Sequence, residues 1–151
     1  MKTIGLIANL EKPRAAEAVR HVAALASDMG FIVLIEERTA SLHPDVPAYP
    51  VGEFKKRKVE AVVVLGGDGT LLDAAHKVAE QHLPLMGLNI GSLGYLTSVE
   101  EHQFAEALQQ LRENRYAVSR RSALAAAVHH QDGTRSLLSD ALNDVVVYRG
   151  E

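Results

Sequence analysis

An α/β fold is predicted: a Rossmann-like parallel sheet flanked by helices, followed by the first strands of a β-rich second domain. Two observations carry this reading. Through residues 1–115, short β-branched runs alternate with segments of helical period, and two of those runs end in glycine turns. Strands separated by helices pair in parallel, because each crossover returns the chain to the same end of the sheet. Beyond Tyr116 the helical period stops, and an Asp-Gly turn signal appears between two strand-like runs.

The elements follow in order. Thr3 to Ala8 reads as a buried strand. Asn9 to Pro13 is a turn, and Pro13 suits a helix start. Ala15, Val19, Val22, Ala26 and Met29 recur at helical spacing, so residues 13–29 form an amphipathic helix that Gly30 ends. Phe31 to Ile35 is a second strand. Residues 39–50, with Pro44, Pro47 and Pro50, read as a loop, and Glu53 to Lys58 as a short helix. The central strand is 61–65. Leu71, Ala75 and Val78 place 70–81 on a helix, and Leu83 to Asn89 is another strand. Glu100 to Arg115 is helical, with Phe104, Leu108 and Leu111 inward. From 116 to 151 the expectation is an incomplete β-rich domain: strand at Leu124 to His130, a hairpin at Asp132-Gly133, then strand at Ser136 to Leu142 and Val145 to Tyr148.

Composition narrows the function classes. With 47% hydrophobic residues the chain can bury a core, and a net charge of -3 gives no basic face for nucleic acid or a membrane surface. Aromatics are 5% and Trp is absent, which leaves no stacking platform for single strands. Zero cysteines exclude disulfides and Cys-based zinc sites. No signal-peptide pattern and no long apolar run precede the first strand, so the cytoplasm is the expected location. The seven histidines form no ligand set; His129 and His130 sit on opposite faces of a predicted strand. Lys55-Lys56-Arg57-Lys58 reads as a solvated face.

Chemistry concentrates in three segments. In Gly66-Gly67-Asp68-Gly69-Thr70, glycines at a strand end let backbone N–H groups approach a phosphate. A carboxylate repels phosphate, so Asp68 needs a separate role, either taking a proton from a hydroxyl or holding a metal. A tight corner without ligand is the plain alternative. No Lys follows, which excludes a P-loop, and the glycine spacing is not that of the dinucleotide fingerprint. The second segment, Asn89-Ile90-Gly91-Ser92-Leu93-Gly94-Tyr95-Leu96-Thr97, leaves the next strand, so both turns border one crevice. Tyr95 is either a stacking ring or a half-buried core aromatic. The third, Asn143-Asp144, suits ribose hydroxyls and a base edge, or is a turn pair between strands.

Together the three segments resemble the NAD kinase family over essentially the whole chain: Leu65 to Leu72, Asn89 to Thr97, and Ala141 to Val146. The first is shared with diacylglycerol and sphingosine kinases and, more loosely, phosphofructokinases; the second and third single out NAD kinases. The resemblance implies phosphoryl transfer from ATP, or polyphosphate in some members, to the 2′-hydroxyl of the adenosine ribose of NAD, giving NADP. It implies that Asp68 is the catalytic base and that Gly66, Gly67, Gly69 and Thr70 cradle phosphates. Asn89, Gly91, Leu93 and Gly94 then border the nucleotide, Tyr95 packs on the adenine, and Asn143 and Asp144 bind the nucleoside. Asp144 replaces a common family Glu, and the acidic Asp73 stands near where some members carry a basic ligand contact. A divalent metal, Mg²⁺, is expected with ATP, because the glycine turns show few cations. A homo-oligomer, dimer or tetramer, is expected for the full-length protein, with further contacts from a second domain and no turnover by the 151 residues alone. A lipid kinase sharing the first turn, and a nucleotide sensor that binds without turnover, are the competing classes. An intact Asp68 disfavours the sensor, since binding alone needs no base.

Overall fold

The structure is a computed structural model, and it describes residues 1–91, 94–97, 99–138 and 140–149. Two compact units divide the chain, Met1–Val118 and Ser119–Glu151.

Six parallel strands form the sheet of the first unit. They are β1 (Thr3–Ala8), β2 (Ile32–Glu36), β3 (Ala48–Tyr49), β4 (Val59–Gly66), β5 (Leu85–Asn89) and β6 (Val99–Glu100), in the spatial order β3-β2-β1-β4-β5-β6. Among the described residues three α-helices flank it: α1 (Ala15–Asp28), α2 (Asp68–Val78) and α3 (Phe104–Arg112). The continuous apolar runs of β1 and β4 have a physical cause. Both strands are covered on both faces, so every β1 residue is buried, and all of β4 except Glu60. Alternation sends Val63 and Leu65 into one core with Val19 and Val22 of α1 and Phe104 and Leu108 of α3. Val62 and Val64 enter the other with Ala74 and Val78 of α2 and Phe54. Gly5 is glycine for packing: a Cβ there would strike the fully buried Phe54 ring, 2.8 Å from Cδ2. Gly30, at φ +82°, follows α1 in the left-handed conformation that glycine adopts without strain.

The sheet has more strands than the periodicity indicates. β3 lies inside the stretch read as a loop, and pairs with β2 through Ile35–Ala48 and Glu36–Tyr49. Its neighbours Pro47 and Pro50 are tolerated because it is an edge strand. β6 pairs with β5 through Leu88–Val99 and Asn89–Glu100. Glu53 to Lys58, expected as a short helix, is instead a run of turns that follows a 3₁₀ turn at Val51–Glu53. α2 begins at Asp68, two residues before the predicted start, which places the carboxylate in the first helical turn.

The strand order reverses between β1 and β4, the point where open α/β sheets bind ligands beyond their carboxyl ends. A hydrogen bond from Asn9 N to the Leu65 carbonyl, 3.0 Å, continues the β1–β4 pairing to that rim.

In the second unit, β7 (Ala127–His129) and β8 (Arg135–Leu137) form an antiparallel hairpin, with Gly133 at φ +83° in its turn. Leu124 and Ala141 make a further antiparallel bridge. The expected strand at Val145 to Tyr148 is absent; these residues are exposed and form no strand. Without a partner strand, an apolar run has no ladder to join. No helix among the described residues is long and apolar enough to cross a membrane.

Candidate functional site

Asp68 is fixed by the segment that follows β5. Its Oδ2 accepts the Tyr95 N–H at 2.8 Å. Its Oδ1 accepts the Leu96 N–H at 2.9 Å, the Thr97 N–H at 3.0 Å and the Thr97 hydroxyl at 3.3 Å. The carboxylate therefore clasps the two glycine turns together at the sheet rim. The Leu96, Tyr95 and Thr97 amides, in that order of effect, hold its pKa below the ordinary carboxylate value. Oδ2 carries one donor where Oδ1 carries three, so Oδ2 keeps spare acceptor capacity.

This clasp has a pH signature. A depressed folded pKa means that the stabilisation is whole above the unfolded Asp value, about 3.9, and fades as pH falls through the folded value. Melting curves of wild type and Asp68→Ala are expected to differ in Tm at neutral pH and to converge only well below pH ~4. A gap already closed at pH ~6 rules out this titration as its source.

The glycines divide by role. A Cβ on Gly94 would collide with the Asp68 carboxylate, and one on Gly66 with the Thr70 side chain, so both are demanded by packing. Gly67 and Gly69 are different. A Cβ on either meets nothing within 4 Å, and neither has positive φ. Packing demands glycine at neither: Gly67 is the N-cap of α2, where glycine is one of several favoured residues, and Gly69 stands in the first helical turn, although Gly inside a helix costs about 1 kcal/mol against Ala. What glycine offers at these positions is an open approach to the backbone N–H groups at the start of α2, where the helix dipole favours an anion.

The second turn is built by Asn89, which is buried; its Oδ1 accepts the Gly91 N–H at 2.8 Å. Lys12, from the turn after β1, brings its ammonium to this place, 3.6 Å from where a Gly91 Cβ would stand. Sequence reasoning missed Lys12, because no motif joins it to Gly91; only the β1–β4–β5 order does. The Tyr95 side chain is fully exposed, which removes the core-aromatic reading. Leu93 lies outside the described residues. Asn143 and Asp144 belong to the second unit, where they are exposed and the Asn143 amide donates to Asp144 Oδ1 at 2.8 Å. Asp73 is ion-paired with Lys77 at 2.8 Å.

Two clefts open at this rim. One of about 240 Å³ lies between the ends of β1 and β2 and the face of α2 that carries Thr70, Asp73 and Lys77. The other, about 700 Å³, is bordered by Asn89 and Gly91 and by Glu100 to His102. Across the second, Arg14 forms a bidentate pair with Glu101 at 2.9 and 2.8 Å. Both partners are half exposed, so the pair adds little stability.

Fold and site define a doubly wound α/β domain with an unobstructed helix start and a clasped carboxylate at its switch point. The description ATP-NAD kinase N-terminal domain belongs to the family model that matches residues 4–116, and the chain is a member of the NAD kinase family. The NAD kinase of Azoarcus sp. (strain BH72) is 36% identical over 99% of this chain and 51% of its own length. That of Moorella thermoacetica (strain ATCC 39073 / JCM 9320) is 37% identical over 99% of this chain and 47% of its own. The crystal structure of yeast NADH kinase complexed with NADH superposes with a TM-score of 0.76 at 20% identity, covering 95% of this chain and 47% of that one, and shares its fold. The chain thus spans about half the length of the curated relatives it matches.

Proposed function

We propose that the full-length protein transfers the terminal phosphoryl group of ATP to the 2′-hydroxyl of the adenosine ribose of NAD. The observation that carries this reading is the Asp68 carboxylate, fixed at the switch point of an NAD kinase family domain with acceptor capacity left on Oδ2. The 2′-oxygen bonds to the γ-phosphorus, the bond from that phosphorus to the β–γ bridging oxygen breaks, and ADP leaves with the electron pair. The hydroxyl proton passes to Asp68 Oδ2. A carboxylate with lowered pKa is a weak base towards a free alcohol. It suits a loose transition state, where the hydroxyl becomes acidic as its bond to phosphorus forms. The N–H groups at Gly67 and Gly69, the Thr70 hydroxyl and Lys12 receive phosphate oxygens. The exposed Tyr95 ring packs on the adenine, and Asn143 and Asp144 bind nucleoside hydroxyls and base edge.

Magnesium enters here as part of the donor. The described residues include no group of three His, Cys, Asp or Glu side chains able to hold a metal ion. That donor set does not fit a resident cage, and Mg²⁺ is commonly held through phosphates and water. We also read the second unit as part of a β-rich domain, and the assembled enzyme as a cytoplasmic homo-oligomer. Light scattering that reports a monomer contradicts the assembly.

Assay of the full-length protein for NADP formation tests the activity; turnover of diacylglycerol or sphingosine with none of NAD overturns it. Lys12→Met is expected to lower kcat/KM about 10- to 100-fold, the effect of one lost charge-assisted contact, with an unchanged melting temperature. Gly69→Ala is expected to separate stability from activity. The helix gains about 0.5–1 kcal/mol, while the added methyl obstructs phosphate and lowers turnover. Equal activity with raised Tm refutes the phosphate role of this turn.

A further inference from the structure

The smaller cleft holds a carboxylate that the phosphoryl-transfer scheme leaves unused. Glu36 ends β2, and its side chain is 8% exposed. Its Oε2 is occupied: it accepts the Thr39 N–H and the Thr39 hydroxyl, each at 3.0 Å. The Thr39 hydroxyl oxygen in turn accepts the Ala8 N–H at 3.0 Å, which locks Glu36 to the end of β1. Glu36 Oε1 makes no hydrogen bond among the described residues; its neighbour, Lys77 Nζ, stands at 4.0 Å. A rigid, nearly buried carboxylate thus lines a cleft of about 240 Å³ with one oxygen able to accept.

The charges around it decide what the cleft can receive. Glu11, Glu36 and Asp73 line it against Arg38 and Lys77. Lys77 is already matched by Asp73 at 2.8 Å, which leaves Arg38 as the cation of the cleft without an ion pair among the described residues. A continuous polyanion would meet three carboxylates and one unmatched charge. A neutral group bearing paired hydroxyls would meet what it needs, an acceptor held in place. In doubly wound sheets a carboxylate beyond the first βα turn characteristically takes a ribose hydroxyl. The Gly69 and Thr70 end of α2 also borders the cleft, so a phosphate chain leaving it runs directly onto the anion-receiving turn beside Asp68.

Resting on the kinase reading above, we propose that this cleft seats the ribose of the donor nucleotide, with Glu36 Oε1 accepting its hydroxyls, and that the protein selects a nucleoside triphosphate over inorganic polyphosphate. The donor then approaches from the β1–β2 side of Asp68, and the acceptor occupies the β5–β6 side. An in-line displacement needs attacking and leaving oxygens on opposite sides of the phosphorus, which two clefts flanking one turn provide.

The test compares ATP, 2′,3′-dideoxy-ATP and inorganic polyphosphate on the full-length protein, by calorimetric binding without NAD and by NADP formation. Wild type is expected to bind ATP about 10- to 100-fold more tightly than the dideoxy analogue, the effect of hydrogen bonds to a charged acceptor, and polyphosphate weakly. In Glu36→Gln, the amide oxygen can still accept from Thr39, and the discrimination between ATP and its dideoxy analogue is expected to collapse. Asp73→Asn, which releases Lys77, is expected to improve polyphosphate binding, and this arm stands even where Glu36→Gln folds poorly. Equal affinity of wild type for ATP and the dideoxy analogue, or polyphosphate bound as tightly as ATP, overturns the proposal and leaves the kinase reading intact. Hydroxyl-dependent ATP binding with no NADP formed overturns the kinase reading and leaves the ribose site intact.

Discussion

Asp68→Asn is expected to lower kcat for NADP formation by about 10²–10⁴, the usual contribution of a general base, while NAD still binds. Two effects combine in this variant. The first is chemical: an amide cannot take the hydroxyl proton. The second is positional and comes from the clasp. In wild type, N–H donors approach both carboxylate oxygens, Tyr95 at Oδ2 and Leu96 and Thr97 at Oδ1. An amide presents one acceptor oxygen and one NH₂ group, so in either orientation a backbone N–H faces another donor. The Tyr95–Thr97 segment is then held less firmly against the start of α2. Separate measurements resolve the two effects: NAD affinity by calorimetry reports the segment, and single-turnover rate reports the proton transfer. A variant with full turnover removes Asp68 from the chemistry.

Gly94→Ala is expected to have an effect of similar size without touching a reacting group. The added Cβ would lie within 2.6 Å of Asp68 Cγ, closer than any relaxed contact. The methyl and the carboxylate claim the same space. Either the second turn moves or Asp68 leaves its three N–H donors. Overpacking of this kind costs about 1–3 kcal/mol, and we expect kcat to fall about 10²-fold or more, as for loss of the base itself. Gly67→Ala is the control for stability alone, since its Cβ meets nothing within 4 Å. Comparable stability of the Gly94 and Gly67 variants, with the Asp68 pKa unmoved, contradicts the clasp.

The sequence made the centre of the sheet legible and left its edges obscure. β1 and β4 are long enough for a β-branched run to declare itself, and Gly66 and Gly67 mark where β4 stops. β3 and β6 have two residues each, too few for any period to show, and they exist because neighbouring strands offer a ladder. Asp68 stood out because a carboxylate among glycines that suit a phosphate needs a reason. Its clasp on Tyr95 to Thr97 did not, because periodicity says which residues face inward and nothing about which loops meet. Lys12 and Glu36 were invisible for the same reason: each acquires its place only when β1 is set beside β4 and β2. The run Val145 to Tyr148 shows the converse, an apolar, β-branched stretch that reads as strand yet has no strand beside it among the described residues of its own unit.

The central claim is that a clasped Asp68 takes the proton from the 2′-hydroxyl of NAD. The most direct measurement is phosphorus NMR of the product formed from NAD and Mg-ATP by the full-length protein, run beside Asp68→Asn at equal NAD occupancy. The account predicts one new phosphate ester, on the 2′-oxygen of the adenosine ribose, formed by wild type and reduced at least a hundredfold in the variant (~10² being the lower bound for a lost base). A phosphate ester at another position, or equal product from both proteins, contradicts it.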